Sequence, residues 1–298
     1  MSPPAVRLPL EEVAALPGPG RPAVDASGGA VLAGDGEVEY LGSDGWHRLA
    51  VGVAAADLPG PVELVERLPG DRWLLAATMS PRGPDGGGIP NAVVISAAGA
   101  VEERFSIGDG VDDLQAGPEG DLWVSYQFLG TMGDYGRNGW GRLSPVLWIE
   151  PIGGSGLARF DRHGGKAYDF SPPPGASPVM DAFALNVGDE HTWVCYHPGF
   201  ALIRVDRRNG VQAWRSPVWG VDALAVAGDR VFLHRLGRPA AAWVLGRLGS
   251  EGELVALEPA ALEPFTEDVE IQRVVGRGSC LHVFTATAWY RLDLAVSC

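Results

Sequence analysis

The chain has 298 residues and a formal net charge of −14, from 37 acidic and 23 basic side chains. A protein this acidic repels a phosphate backbone, so we expect no nucleic-acid partner. No apolar run in the sequence approaches the ~20 residues that cross a bilayer, and the first residues lack the pattern of a signal peptide. The three cysteines are too scattered for a disulfide framework. We therefore expect a cytoplasmic protein without a membrane contact.

Short runs of β-branched and aromatic residues alternate with Gly, Asp and Asn turns along the chain, which is typical of successive β-hairpins. Residues 22–50 form a short first unit, and later units begin at VELVERL, VDDLQAG, VMDAFALNV, VDALAVA and VEIQRVV. The last unit has only three strands, and PAVRLPL near the N-terminus is the predicted fourth. Closing a ring in this way removes exposed strand edges.

These units predict an all-β fold with a single domain over residues 1–298. We expect a six-bladed β-propeller of four-stranded antiparallel blades, in which an N-terminal strand completes the last blade. Because the first unit is short, five or seven blades are the alternatives.

Each unit carries an acidic residue that the pattern places near the start of its first strand, at the mouth of the ring. The six are Asp25, Glu63, Asp113, Asp181, Asp222 and Glu270. Converging carboxylates repel one another, and a divalent cation such as calcium would relieve that repulsion. The predicted metal ligands are Asp113, Asp181, Asp222 and Glu270. The alternative is that these carboxylates accept hydrogen bonds from neighbouring blades or are solvated.

Two histidines are predicted at the same mouth. Counting outward from the hairpin turns places Asp181 opposite His197, and Asp222 opposite Arg235 and diagonal to His234. A carboxylate that orients an imidazole is the arrangement that general base catalysis needs. His197 and His234 are therefore the candidate catalytic residues. The alternative is a histidine–carboxylate contact that serves only packing.

The segment 128–156, between the second and third strands of the third unit, is the longest connection in the chain. Loops beyond ~12–15 residues are uncommon unless they are lids, binding loops or disordered, and apolar aromatics argue against disorder. The segment is therefore a predicted lid over the mouth, or else a loop that packs on neighbouring blades. The predicted ligand-binding residues are Tyr126, Tyr135, Trp140, Arg142, Tyr196 and Arg235.

Several motifs also resemble known propellers. GPEGDLWVSY and GLARFDRHG resemble the blade pattern of bacterial NHL, lyase-like and gluconolactonase-like six-bladed propellers. VDDLQAGPEGDLWVSY, GDYGRNGWG, GSGLARFD and MDAFALNV are similar to a group of uncharacterised bacterial propeller proteins, best over residues 105–235. The resemblance implies the fold, and its gluconolactonase-like part implies metal ligands on inner strands. It implies no single activity.

Three functions follow as alternatives. The first is binding of a small ligand or a protein partner at an acidic central mouth, on the top face, under the 128–156 loop. The second is a divalent-metal-dependent hydrolase, lactonase or lyase that uses the same mouth. The third is a scaffold that recognises a protein through the aromatic residues of the loop. No GxSxG, HExxH, P-loop or CxxC motif is present, which excludes the usual hydrolase-elbow, zincin, nucleotide and redox sites.

Overall fold

The structure, a computed structural model, describes residues 6–34, 37–80, 88–132, 151–199, 201–235, 243–265 and 269–296. Within these ranges six antiparallel sheets follow one another around a ring, which confirms the six-bladed β-propeller. Two short N-terminal strands precede the first blade: β1 (Val6–Pro9) and β2 (Glu11–Ala15). The short helices are α1 (Gly52–Ala56) and α2 (Phe128–Met132), and among the described helices neither is long and apolar enough to cross a membrane.

Blades 1 to 3 each consist of four consecutive strands. Blade 1 contains β3 (Arg21–Val24), β4 (Ala30–Gly34), β5 (Glu37–Gly42) and β6 (Gly45–Ala50). Blade 2 contains β7 (Leu64–Leu68), β8 (Arg72–Ala76), β9 (Ala92–Ser96) and β10 (Val101–Phe105). Blade 3 contains β11 (Val111–Ala116), β12 (Leu122–Tyr126), β13 (Leu157–Phe160) and β14 (Lys166–Asp169).

Blades 4 to 6 follow the same plan. Blade 4 contains β15 (Asp181–Val187), β16 (His191–His197), β17 (Ala201–Asp206) and β18 (Val211–Trp214). Blade 5 contains β19 (Val221–Ala227), β20 (Arg230–Arg235), β21 (Trp243–Leu248) and β22 (Leu254–Glu263). Blade 6 contains β23 (Ile271–Arg277), β24 (Cys280–Thr285) and β25 (Ala288–Asp293), and β2 is its fourth strand.

The first strand of each blade is the innermost one. These six strands contact each other in ring order, and β23 of the last blade packs beside β3 of the first. They all begin on the same face of the ring, which we call the mouth face. Blade 1 is complete in spite of its short sequence, so the five- and seven-bladed alternatives are excluded.

The N-terminal strand that completes blade 6 differs from the predicted one. β1, which lies in PAVRLPL, pairs in parallel with β22 at the outer edge of blade 5, with Val6 beside Ala260. It is β2 that pairs with β25 and completes blade 6. Between them the Leu10 N–H donates to the Glu263 carbonyl at 2.7 Å. The N-terminal segment therefore covers the outer edges of two neighbouring blades, each of which would otherwise expose unpaired backbone groups.

The apolar core lies between the blades. In the described part of the chain it forms six clusters, one for each blade-to-blade interface. The large aromatic residues on the second strands, Trp73, Trp123, Trp193 and Phe232, are all buried between the blades. The cluster between blades 6 and 1 is the smallest, and there Trp46 donates its indole N–H to the Ala15 carbonyl at 3.0 Å.

Asp25 has a different position from the one predicted. It follows β3 instead of starting it, at the end of the strand away from the mouth. Its Oδ1 accepts the backbone N–H groups two and four residues later, at 2.9 Å each, and so closes the turn into β4. Asp161 and Asp206 cap two other turns in the same way. At the mouth, β3 therefore begins with Arg21, a basic residue where the sequence pattern predicted an acidic one.

Candidate functional site

β-Bulges shape the mouth ends of three inner strands. In β11, β19 and β23 one residue near the start of the strand has no cross-strand partner, and these residues are Asp112, Asp222 and Gln272. A bulge inserts one residue and re-aims its side chain, and bulges are common next to functional sites. All three bulged residues line one cavity on the ring axis, and Ala184, from a bulge in β15, lines it too. The bulges therefore build the wall of this cavity.

The cavity, which we call the mouth pocket, has a volume of about 560 Å³. That volume lies within the usual range of small-molecule sites. Inner strands or the segments just before them contribute to it from blades 1, 3, 4, 5 and 6. Its charged lining residues are Arg21, Asp112, Asp113, Asp222 and Arg273.

Two arginines offset the carboxylates of the mouth. Arg273 of blade 6 donates from its NH2 group to Oδ1 of Asp113 in blade 3, at 3.0 Å. Blades 3 and 6 lie opposite each other in the ring, so this ion pair crosses the mouth. Arg21 lies 3.7 Å from the Glu63 carboxylate of blade 2. The mouth is therefore of mixed charge rather than the purely acidic ring that was predicted, and guanidinium groups reduce the repulsion for which a metal ion was invoked.

Asp112 is a candidate functional residue that the sequence reasoning missed. Its pKa is raised to about 7, mainly by burial and then by the neighbouring Asp113 carboxylate, against the attraction of Arg273 and Arg21. A carboxyl group in this range is present in both protonation states at neutral pH, which suits proton transfer. The doubled aspartate in VDDLQAG was the available signal. Because of the bulge, the two neighbouring aspartates make different contacts: Asp113 pairs with Arg273, whereas Asp112 does not.

The predicted contact between Asp222 and His234 is present. His234 Nδ1 lies 2.6 Å from Oδ1 of Asp222, and the imidazole is buried against the Trp243 ring at 4.4 Å between centroids. The predicted register is wrong by one residue, because Val221 and not Asp222 pairs with Arg235. As the bulged residue, Asp222 lines the mouth pocket. His234 lies on the second strand behind it and orients the carboxylate.

Asp181 and His197 are cross-strand partners, as predicted. Near the hairpin turn the predicted register is wrong by one residue, because Val187 pairs with Thr192 instead of His191. The bulge in β15 adds one residue and restores the predicted register at the mouth. His197 therefore lies at the rim beside Asp181, although neither residue lines the mouth pocket.

The four predicted metal ligands do not form a calcium cage. Calcium requires six to eight oxygen ligands around one point at 2.3–2.6 Å. Glu270 is exposed just before β23. The other three have separate partners: Arg273 for Asp113, His234 for Asp222, and the backbone N–H of Phe128 for Asp181. Over the described ranges, no three His, Cys, Asp or Glu side chains are grouped to hold a metal ion. These residues therefore do not fit a metal site.

The two tyrosines predicted to bind a ligand belong to the core. Tyr126 is fully buried, and its hydroxyl donates to the Ile107 carbonyl at 2.5 Å. Tyr196 is also buried and packs near Phe170, with ring centroids 6.1 Å apart. Burial raises the pKa of both phenols. Neither ring lines the mouth pocket, so we correct their assignment from ligand contact to packing.

Arg235 lies at the rim of the mouth face beside Trp219. Its Nε donates to the Trp219 carbonyl at 3.1 Å, and its guanidinium lies 5.4 Å from the centre of that indole ring. This cation–π pair is half exposed and lies outside the mouth pocket. Tyr135, Trp140 and Arg142 lie outside the described residues, so the lid over the mouth stays a prediction.

A buried polar cluster, which we call the hub, fills the axis beneath the mouth pocket. It consists of Glu66, Gln115, Asn186 and Arg277. Along three of the inner strands these residues follow the pocket-lining ones by two or three positions, so they lie one layer deeper. Gln115 bonds to backbone groups of blades 4 and 6, and Asn186 to those of blades 5 and 6. The hub therefore joins the inner strands beneath the layer that lines the pocket.

Comparison with known proteins supports the fold. No protein-family model matches the chain, and no curated protein matches it in sequence. Among solved structures, a streptogramin B lyase matches with a TM-score of 0.53 and 11% identity, over 91% of this chain and 78% of that one. A catalytically inactive virginiamycin B lyase from Staphylococcus aureus, with quinupristin, matches with a TM-score of 0.50 and 16% identity, over 95% and 98%.

A gluconolactonase from Xanthomonas campestris matches with a TM-score of 0.49 and 13% identity, over 98% of each chain. Identities this low establish the fold and not the activity. The chain is a six-bladed β-propeller whose fold is similar to that of the two lyase propellers.

Proposed function

We propose that the chain binds a small polar molecule in the mouth pocket, through Arg21, Arg273, Asp112 and Asp222. One observation carries this proposal: three β-bulges from separate blades turn their side chains into a single cavity of about 560 Å³. A propeller that needed only a packed axis would not require irregular strands there. The hub already supplies that packing.

The polar groups of the pocket are held in place before any ligand arrives. Asp113 holds Arg273, and the buried His234 holds Asp222. Side chains fixed in this way lose little freedom on binding, which favours affinity and selectivity. The cover by the 128–156 loop and the cytoplasmic location remain parts of the proposal.

The first test is a thermal-melting screen with a library of polar metabolites, each at 1 mM. Ligand at about 100 times its Kd stabilises the folded state by about 2.7 kcal/mol, which for a protein of this size raises the Tm by several degrees. We expect at least one compound to do so. Replacing Arg273 with glutamine should weaken binding of that compound at least tenfold in calorimetry, because a charged donor is lost from the pocket.

Arg48→Gln is the matched control, since it removes the same charge from the exposed outer strand of blade 1. It should leave the binding unchanged. Equal binding by wild type and Arg273→Gln would place the site elsewhere and contradict the proposal, as would a screen without any stabilising compound.

A second candidate function is proton abstraction from a carbon next to a carbonyl group, the chemistry of many lyases. Asp112, with its pKa near neutrality, would accept the proton. The electron pair left on carbon would move to the carbonyl oxygen, where the guanidinium groups of Arg21 and Arg273 would stabilise the negative charge. The proximity of this base to two such donors is the observation that favours it.

Hydrogen exchange in D₂O tests this chemistry directly. Compounds that raise the Tm should lose the proton next to their carbonyl group to solvent, as followed by proton NMR. The exchange rate should rise with pH and level off above about 7, where Asp112 is ionised. Asp112→Asn should slow exchange about 100-fold or more and retain binding. Exchange no faster than in buffer would leave the chain as a binding protein only.

A further inference from the structure

The mouth pocket is lined by charges of both signs that come from different blades. Arg273 and Arg21 come from blades 6 and 1, which are neighbours; Asp112 and Asp113 come from blade 3, opposite blade 6, and Asp222 from blade 5, beside blade 6. Two arginines face three aspartates, of which Asp112 is in part protonated near neutral pH. The net charge of the pocket is therefore small. A pocket of this kind does not select a ligand by net charge, but by the placement of opposite charges within it.

The arginine side of the pocket favours an oxyanion. Arg21 and Arg273 are close enough for the second to lower the pKa of the first, after burial as the main cause. Arg273 bonds to Asp113, whereas Arg21 lies 3.7 Å from its acidic neighbour Glu63, too far for a direct hydrogen bond. Two guanidinium groups that line one cavity match the two oxygens of a carboxylate.

Another part of the pocket favours an ammonium group. The Asp222 carboxylate lines the pocket, and its Oδ1 lies 2.6 Å from His234 Nδ1. The buried imidazole fixes the direction of the carboxylate. Asp112 adds an acceptor whose charge grows as the pH rises through about 7. Ammonium groups are compact donors that such carboxylates bind well.

From this arrangement of charged side chains we infer that the ligand is a zwitterion that carries a carboxylate and an ammonium group, namely a short peptide with free ends. The carboxylate lies on Arg21 and Arg273, and the ammonium group on Asp222. A cavity of about 560 Å³ is more than a single amino acid fills, so we assign a dipeptide-sized ligand. This inference rests on the proposed function, because it concerns the same pocket.

The test uses a panel of dipeptides, each in three forms: with free ends, with a C-terminal amide, and with an N-acetyl group. The amide lacks the carboxylate and the acetyl form lacks the ammonium charge, while the side chains stay the same. We expect wild-type protein to be stabilised by free-ended forms and to bind both blocked forms ten- to hundredfold more weakly in calorimetry.

Two variants assign the ends of the ligand. Arg21→Gln should reduce the preference for the free over the amidated form, since the carboxylate has lost one of its two partners. Asp222→Asn should bind the free and the acetylated form equally. Arg48→Gln again serves as control and should keep the preference for free ends. If either pocket variant melts at a lower temperature, the three-form comparison on wild type still decides the inference.

The outcomes separate this inference from the proposal beneath it. Equal binding of free and blocked forms by wild type would overturn the zwitterion, while loss of that binding in Arg273→Gln would uphold the pocket. If no dipeptide binds, but a metabolite binds to wild type and not to Arg273→Gln, the zwitterion inference is wrong and the proposed binding pocket is supported. If neither collection binds, both are wrong.

Discussion

Replacing Arg277 with methionine should lower the free energy of unfolding by about 3–5 kcal/mol. Its guanidinium donates to the Val24 carbonyl at 3.1 Å, to the Ala116 carbonyl at 2.7 Å and to the Glu66 carboxylate at 2.8 Å. Both charged side chains are buried. Methionine would take the guanidinium donor from three buried acceptors, in strands of blades 1, 2 and 3, which explains the size of the expected loss.

The loss should depend on pH, because Glu66 then has no counter-ion. Burial raises the pKa of Glu66 to about 8 even beside Arg277, since desolvation outweighs the attraction of the guanidinium. Without Arg277 this pKa rises further. A raised folded-state pKa means that the contribution of the group to stability is complete at acidic pH and is lost as the pH rises. Urea unfolding should therefore show a larger deficit of the variant at pH 8 than at pH 5.

A double variant provides the control for this prediction. Glu66→Leu combined with Arg277→Met removes both charges, so it should regain part of the stability that the single change loses. The lost bonds to the two carbonyls would account for what is not regained. A single variant within ~1 kcal/mol of wild type at both pH values would show that the hub does not join the blades.

The second large effect is expected at Gly276 in β23. A methyl group there would lie 1.9 Å from the Leu224 carbonyl oxygen of blade 5 and 3.0 Å from Nδ2 of Asn186 in blade 4. The nearer atom belongs to the backbone of an inner strand and cannot turn away. Gly276→Ala must therefore push two inner strands apart, and we expect it to cost about 3 kcal/mol.

Gly18→Ala is the matched control, because no atom lies within 4 Å of its added methyl group. It should change the free energy of unfolding by less than ~0.5 kcal/mol. Both variants can be compared with wild type by urea unfolding at pH 7. A similar small change in both would mean that the axis has room for a side chain beside Gly276.

The order of strands in each blade could be predicted from the sequence because it depends on residues that are close together along the chain. Alternation of apolar residues and the turn residues between them are local, and they predicted most inner and second strands. The buried Trp73, Trp123 and Trp193 follow from the same repeat. The short first blade was the doubtful part. Its four strands follow one another closely along the chain, with the turn after the first strand capped by Asp25, and therefore need fewer residues than the other blades.

The pocket was only partly predictable. The search for a repeated acid found Asp113 and Asp222, yet it passed over Asp112, Arg21 and Arg273. A single bulged residue changes which of two neighbouring side chains faces the cavity, and no local pattern marks a bulge. The partner of Asp113 is 160 residues away in sequence, on the opposite blade. Such a contact depends on how the ring closes.

Local chemistry along the chain determined the strands, their order, the ring and the side of the ring where charged groups gather. Tertiary structure alone decided which of those groups meet, that arginines lie beside the carboxylates, and that the pKa of Asp112 is raised to about 7. The reason is physical. Whether a strand forms depends on a few neighbouring residues. The net charge around the ring axis depends on side chains from six blades, which come together only when the ring closes.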